Sequence, residues 1–105
     1  MITHDYTIAQ ELKRRLSSVV KIEDFRVFGS RARKDNDKYS DLDVYIVVEK
    51  RTQELEKKIF DISWEVGYEN YIIISTLIFT LDEIRNSPLR SSPIVKVIQE
   101  QGIPV

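Results

Sequence analysis

Two aspartates, Asp41 and Asp43, open the apolar run "DLDVYIVVE", ten residues after the pair Gly29-Ser30 closes the run "DFRVFGS". In extended chain, residues two apart project to the same face, about 6.5 Å from each other along the strand. Two like charges so placed repel unless a cation sits between them. A hard divalent ion such as Mg2+ answers that need, because it takes a few carboxylates and keeps positions for water and phosphate oxygens. Gly29 permits a close backbone approach, and Ser30 adds a hydroxyl donor. A helical turn starting there would offer free N–H groups to an anion. Arg31 and Arg33 stand nearby as partners for phosphate. Together these residues describe a nucleoside triphosphate held at one end by a turn and at the other by a metal bound to Asp41 and Asp43.

Each part alone has a plainer reading. A single Asp-x-Asp at a strand start is most often a solvated edge, and a single Gly-Ser pair most often a turn. A calcium-loop reading of "DNDKYSDLD" fails outright. Tyr39 and Ser40 fall where an oxygen ligand and the turn glycine belong, and Ile46 replaces the terminal glutamate.

The elements around the pair follow from periodicity. Ala9, Leu12, Leu16, Val19 and Val20 recur at helical spacing between Thr7 and Val20. "DFRVFGS" and "DLDVYIVVE" read as two strands, with a short helical turn at "SRARK" between them. Thr52 is the expected N-cap of a helix bearing Leu55, Ile59, Ile62 and Val66. The run "YIIISTLIF" is apolar on both faces, which predicts a third strand, central and covered on both sides. Thr80 and Glu83 form an expected capping box. Pro93 opens the last helix, which ends at Gly102, and "IPV" trails after it. The order α-β-β-α-β-α-α predicts a small α/β (α+β) domain spanning 1–105, a mixed three-stranded sheet flanked by helices.

The bulk composition narrows the function classes. At 105 residues the chain has room for one modest core. Sixteen basic residues nearly cancel seventeen acidic ones, so charge argues for neither nucleic acid nor membrane as partner. The absence of cysteine excludes a disulfide framework, a thiolate metal site and a thiol nucleophile. "YIIISTLIF" is far shorter than a membrane span, and the polar start "MITHDYTIAQELKRR" begins a helix in place of a signal peptide, so a cytoplasmic protein is expected. His4 falls in what reads as a loose terminus. "KRR" at 13–15 and "EKK" at 56–58 read as solvated helix faces. Trp64 reads as core or interface, and Tyr39, Tyr45, Tyr68 and Tyr71 cluster around the strands.

The joint pattern, "FGSRAR" followed by "SDLDVYIVV", resembles the signature of the nucleotidyltransferase superfamily that includes DNA polymerase beta. More closely it resembles the minimal nucleotidyltransferases (MNT proteins) found beside HEPN-domain partners in prokaryotes. The likeness extends to "SPIVKVIQEQGIPV" and covers nearly the whole chain. It implies that Gly29 and Ser30 position phosphates and that Asp41 and Asp43 bind one or two catalytic Mg2+ ions. It implies transfer of a nucleoside monophosphate, AMP from ATP, to a hydroxyl, with a tyrosine of a HEPN toxin as acceptor and an antitoxin role for this chain. It leaves room for a homo-oligomer. A second reading is a catalytically silent binding module that neutralises a HEPN partner by forming a complex. A third, transfer to a small molecule as in aminoglycoside-modifying relatives, needs extra substrate-binding structure that this chain lacks unless a dimer supplies it. Two departures from the family pattern stand out. Lys34 replaces the glycine usual after "SRAR", and the third carboxylate common on the later strand is absent from "YIIISTLIFT", where Ser75 and Thr76 are the only polar residues before the terminal threonine. Glu69 lies just ahead of that strand.

Overall fold

The computed structural model describes residues 1–105. Helix α1 (Thr3–Leu16) is followed by strand β1 (Ile22–Phe28), a single-turn helix α2 (Gly29–Arg33), strand β2 (Leu42–Val48) and helix α3 (Gln53–Glu69). Strand β3 (Ile74–Thr80), helix α4 (Leu81–Asn86), a 3-10 turn at Pro88–Ser91, helix α5 (Pro93–Gln101) and strand β4 (Ile103–Pro104) complete the chain. The architecture is the expected α/β layer, with a sheet of four strands instead of three. The fourth is the trailing "IPV". Ile103 and Pro104 pair antiparallel with Val27 and Arg26. Two residues carry no periodicity, and proline is tolerated here because the strand is an edge.

The caps read from sequence are present. The Thr52 hydroxyl accepts from the Leu55 N–H, and Thr80 and Glu83 form the reciprocal capping box. Helix α1 differs from its expected span. It starts at Thr3, so His4 lies on an exposed helical turn and not in a loose terminus, and it ends at Leu16, leaving Val19 and Val20 outside.

Sheet order is β3-β2-β1-β4, with β1 antiparallel and β3 parallel to β2. The expectation that "YIIISTLIF" is central is therefore corrected: β2 is the buried centre, and β3 is an edge. Even-numbered β2 residues Leu42, Val44, Ile46 and Val48 pack with α1 and α3 into the larger core, which includes Leu12, Leu16, Ile59 and Val66. Odd-numbered Tyr45 and Val47 join Phe79, Val95 and Ile98 in a smaller core on the opposite face. Arg15 of α1 reaches across to α3, donating to Glu65 and Glu69, and so clamps the two helices. No helix is long and apolar enough to cross a membrane.

Candidate functional site

The antiparallel register of β1 and β2 sets Phe28 opposite Asp43. Gly29, the next residue, consequently comes against the Asp43 side chain. It adopts φ +75, and a Cβ placed on it would overlap the Asp43 carboxylate oxygen Oδ2. Two separate demands thus select glycine: a left-handed backbone that side chains rarely adopt, and a space already filled by the carboxylate. We expect Gly29→Ala to lower the melting temperature and to abolish whatever chemistry Asp43 supports. Thermal unfolding together with an activity or metal-binding assay checks both.

Asp43 is half-buried at the start of β2, and Asp41 precedes the strand, exposed, at the spacing that shares its face. Burial pushes the Asp43 carboxyl above its ordinary value. The neighbouring Asp41 charge pushes it the same way, and the Arg33 guanidinium opposes them. Ionising Asp43 in this half-buried place is therefore costly, a cost that a bound cation would offset. The pair's donor set is two hard carboxylate groups with no nitrogen or sulfur, which suits a divalent ion such as Mg2+ that completes its shell with water and phosphate oxygens. No cluster of three or more acidic, histidine or cysteine side chains offers a metal a site made by the protein alone. On β3 the residue paired with Asp43 is Ser75, which is where a third acid on this face would stand. Glu69 is turned to the other side of the sheet and bound by Arg15 at 2.7 Å.

The two arginines part company. Arg33 is exposed, donates to Asp35 at 3.0 Å, and remains close enough for its charge to act on Asp43. Arg31 does not face solvent. Only 7% exposed, it donates through Nη1 to both oxygens of Asp5, itself 1% exposed, at 3.0 and 3.2 Å. Its Nε donates to the carbonyl of Ser40, one residue before Asp41. The expectation that Arg31 contacts phosphate is corrected: it is a positioning residue that ties α1 and α2 to the loop delivering Asp41. Asp5 was not singled out from sequence, because its partner lies 26 positions away and the polar start of α1 disguises a buried acid. Lys34 takes the left-handed C-cap of α2, φ 63, with its side chain exposed. That conformation explains the glycine usual at this position. Trp64 lies on the outer face of α3, 62% exposed, and is not in the core.

A half-buried Asp43 at a strand start, packed on the Gly29 backbone with an exposed Asp41 two residues before it, is an arrangement suited to holding a divalent ion against phosphate. Residues 7–103 match the family described as the nucleotidyltransferase domain, and the chain belongs to that family. Among solved structures, a candidate nucleotidyltransferase from Sulfolobus solfataricus, determined at 1.40 Å resolution, is 23% identical. It aligns over 78% of this chain and 72% of its own, with a TM-score of 0.49. No curated protein matches the chain.

Proposed function

We propose that the chain transfers AMP from ATP to a tyrosine hydroxyl of a HEPN-domain partner and thereby acts as an antitoxin. The observation that carries this reading is the Gly29 backbone packed on the Asp43 carboxylate, with Asp41 two residues away adding a second carboxylate whose charge, like burial, pushes the Asp43 carboxyl up. In the reaction the acceptor oxygen bonds to the α-phosphorus, the bond from that phosphorus to the bridging oxygen breaks, and pyrophosphate leaves while the hydroxyl loses its proton. Mg2+ bound by Asp41 and Asp43 would neutralise charge on the attacking and leaving oxygens. The chain's own residues do the rest. Gly29 leaves room for the Asp43 carboxylate to close on the turn, Ser30 offers its hydroxyl, and the exposed Arg33 supplies positive charge near Asp43. Arg31, held by Asp5, fixes the peptide that carries Asp41.

A second reading is favoured by one specific observation, the serine at the position beside Asp43. On that reading the fold neutralises its partner by binding alone. ATP labelled on the α-phosphate, incubated with Mg2+, the purified protein and its HEPN partner, separates the two. Label on the partner with the wild type, and none with the Asp41→Asn/Asp43→Asn double variant, is the expected result. Neutralisation that persists in the double variant without any label would replace transfer with binding.

A further inference from the structure

The edge of the sheet at β3 is left open, and the apolar surface beside it is large. Phe60, Trp64 and Tyr68 fall at four-residue intervals on α3, and all are exposed. The Trp64 and Tyr68 rings stack with centroids 5.2 Å apart and planes 13° from parallel. Tyr71, 96% exposed, and Ile73 extend the same patch to the foot of β3. Tyr71 is also held at φ 57, a left-handed backbone that a bulky residue seldom adopts. Between this helix face and Ile72, Ile74 and Thr76 runs a groove of about 780 Å3. Within β3 it lies on the sheet face opposite Asp43, since Asp43 pairs with Ser75 whereas Ile74 and Thr76 line the groove, with Ile73 at its foot before the strand.

We infer that this face is a two-fold interface between two copies of the chain, with β3 pairing antiparallel to its own copy and the two α3 stripes meeting across the axis. The backbone selects the register. The Ile73 carbonyl accepts from the Leu42 N–H and so points towards β2, whereas the Ile78 carbonyl is taken by Arg51 at 2.8 Å from outside the sheet. Alternation then turns the peptide groups of Ile74 and Thr76 outward. Arg51 closes the upper part of the edge, and the open part centres on Ser75. Pairing Ile74 with the copy's Thr76, and Thr76 with its Ile74, satisfies these groups and sets the two Ser75 residues opposite each other. A two-fold axis normal to the sheet keeps both α3 helices on one face, antiparallel, so each aromatic stripe enters the other's groove.

The area suffices. With about 150–250 Å2 for a whole aromatic side chain, the exposed parts of Phe60, Trp64, Tyr68 and Tyr71, with Ile73, come to roughly 600 Å2. A stable interface takes about 800 Å2 from each partner, and the edge backbone and groove walls supply the remainder. Charge does not oppose the contact, because Lys57 is paired with Asp61 and Glu65 with Arg15. The pairing also lays both aspartate pairs on the other face of one continuous sheet. At about 4.8 Å per strand, the two Asp43 residues stand about 14 Å apart, so each copy's Ser75 borders the second site.

Mass measurement by light scattering or sedimentation on the purified protein tests the interface, and oxidative cross-linking tests the register. The wild type should show twice the 12.4 kDa chain mass. Trp64→Glu and Ile73→Lys, both exposed changes, should give folded monomers by circular dichroism. The Ser75→Cys variant, carrying the chain's single cysteine, should oxidise to a covalent dimer, since directly opposed residues of a non-hydrogen-bonded pair lie within disulfide reach. A wild type that stays monomeric at tens of micromolar overturns the inference. So does a dimer that survives both patch variants, or a patch that is covered by a different protein while the chain alone remains a monomer.

Discussion

Asp5→Ala should cost about 3–5 kcal/mol of folding stability, the amount expected when one partner of a buried ion pair is removed and the other is left without compensation. The carboxylate and guanidinium are both almost wholly inaccessible, and the Arg31 fork holds three acceptors at 3.0–3.2 Å. With Asp5 gone, the charge of Arg31 stays behind in a place water hardly reaches. Against a total of about 5–15 kcal/mol for a domain, that loss is a large share. A chain of this size should melt more than about 10 °C lower. Replacing both partners by apolar residues, as in Asp5→Leu/Arg31→Met, should recover most of the stability, because buried pairs exchange nearly evenly with packed hydrocarbon. The double variant should nevertheless remain defective at the site, since nothing then grips the Ser40 carbonyl ahead of Asp41. Thermal unfolding of the three proteins decides. A loss below about 1 kcal/mol for Asp5→Ala would mean that the pair is solvated and that Arg31 is free to turn towards a ligand.

Asp43→Asn should move activity and stability in opposite directions. Transfer should fall by about 100-fold or more, the scale on which losing one electrostatic stabiliser of a developing charge is felt. Stability at neutral pH without divalent ions should rise. The sign follows from the direction of the shift. The folded carboxyl titrates above its ordinary value of 3.8, so the folded state holds the proton more tightly than the unfolded chain does. Ionising Asp43 therefore costs folding stability as pH climbs from 3.8 through the folded value, and the cost persists at neutral pH. Asparagine carries no such cost. Melting curves of the two proteins should separate at pH 7 and converge near pH 3. Adding Mg2+ should raise the melting temperature of the wild type and leave that of the variant nearly unchanged. Equal responses to Mg2+ would place the ion elsewhere.

Much of this site was legible in the sequence because its signal is local. Gly29-Ser30 and Asp41-x-Asp43 lie on adjoining ends of consecutive strands, and the antiparallel pairing of such strands brings them together almost automatically. Helix caps were legible for the same reason, each resting on three or four neighbouring residues. What escaped is what depends on distant partners. Arg31 looked like a phosphate ligand because the residue that claims it, Asp5, belongs to another helix. The apolar run of β3 looked central because its composition reports how much apolar surface it carries and not which strands flank it. The same surplus of apolar side chains now stands exposed at the sheet edge and on α3. The two-residue β4 is too short for any pattern, and it exists because β1 has a free side.

The contact between Gly29 and Asp43 also bears on how this chain can change over time. A side chain at position 29 is excluded by the carboxylate as well as by the backbone angle, so the two positions cannot drift independently. Loss of Gly29 is most damaging while Asp43 is present and less damaging once Asp43 has been replaced by something smaller. The effects of the two substitutions are therefore non-additive, as expected of residues in direct contact. A lineage that had abandoned chemistry at this site would lose its aspartate first and would then be free to lose its glycine. In this chain the aspartate is still present, and so is the glycine that can exist only by yielding space to it.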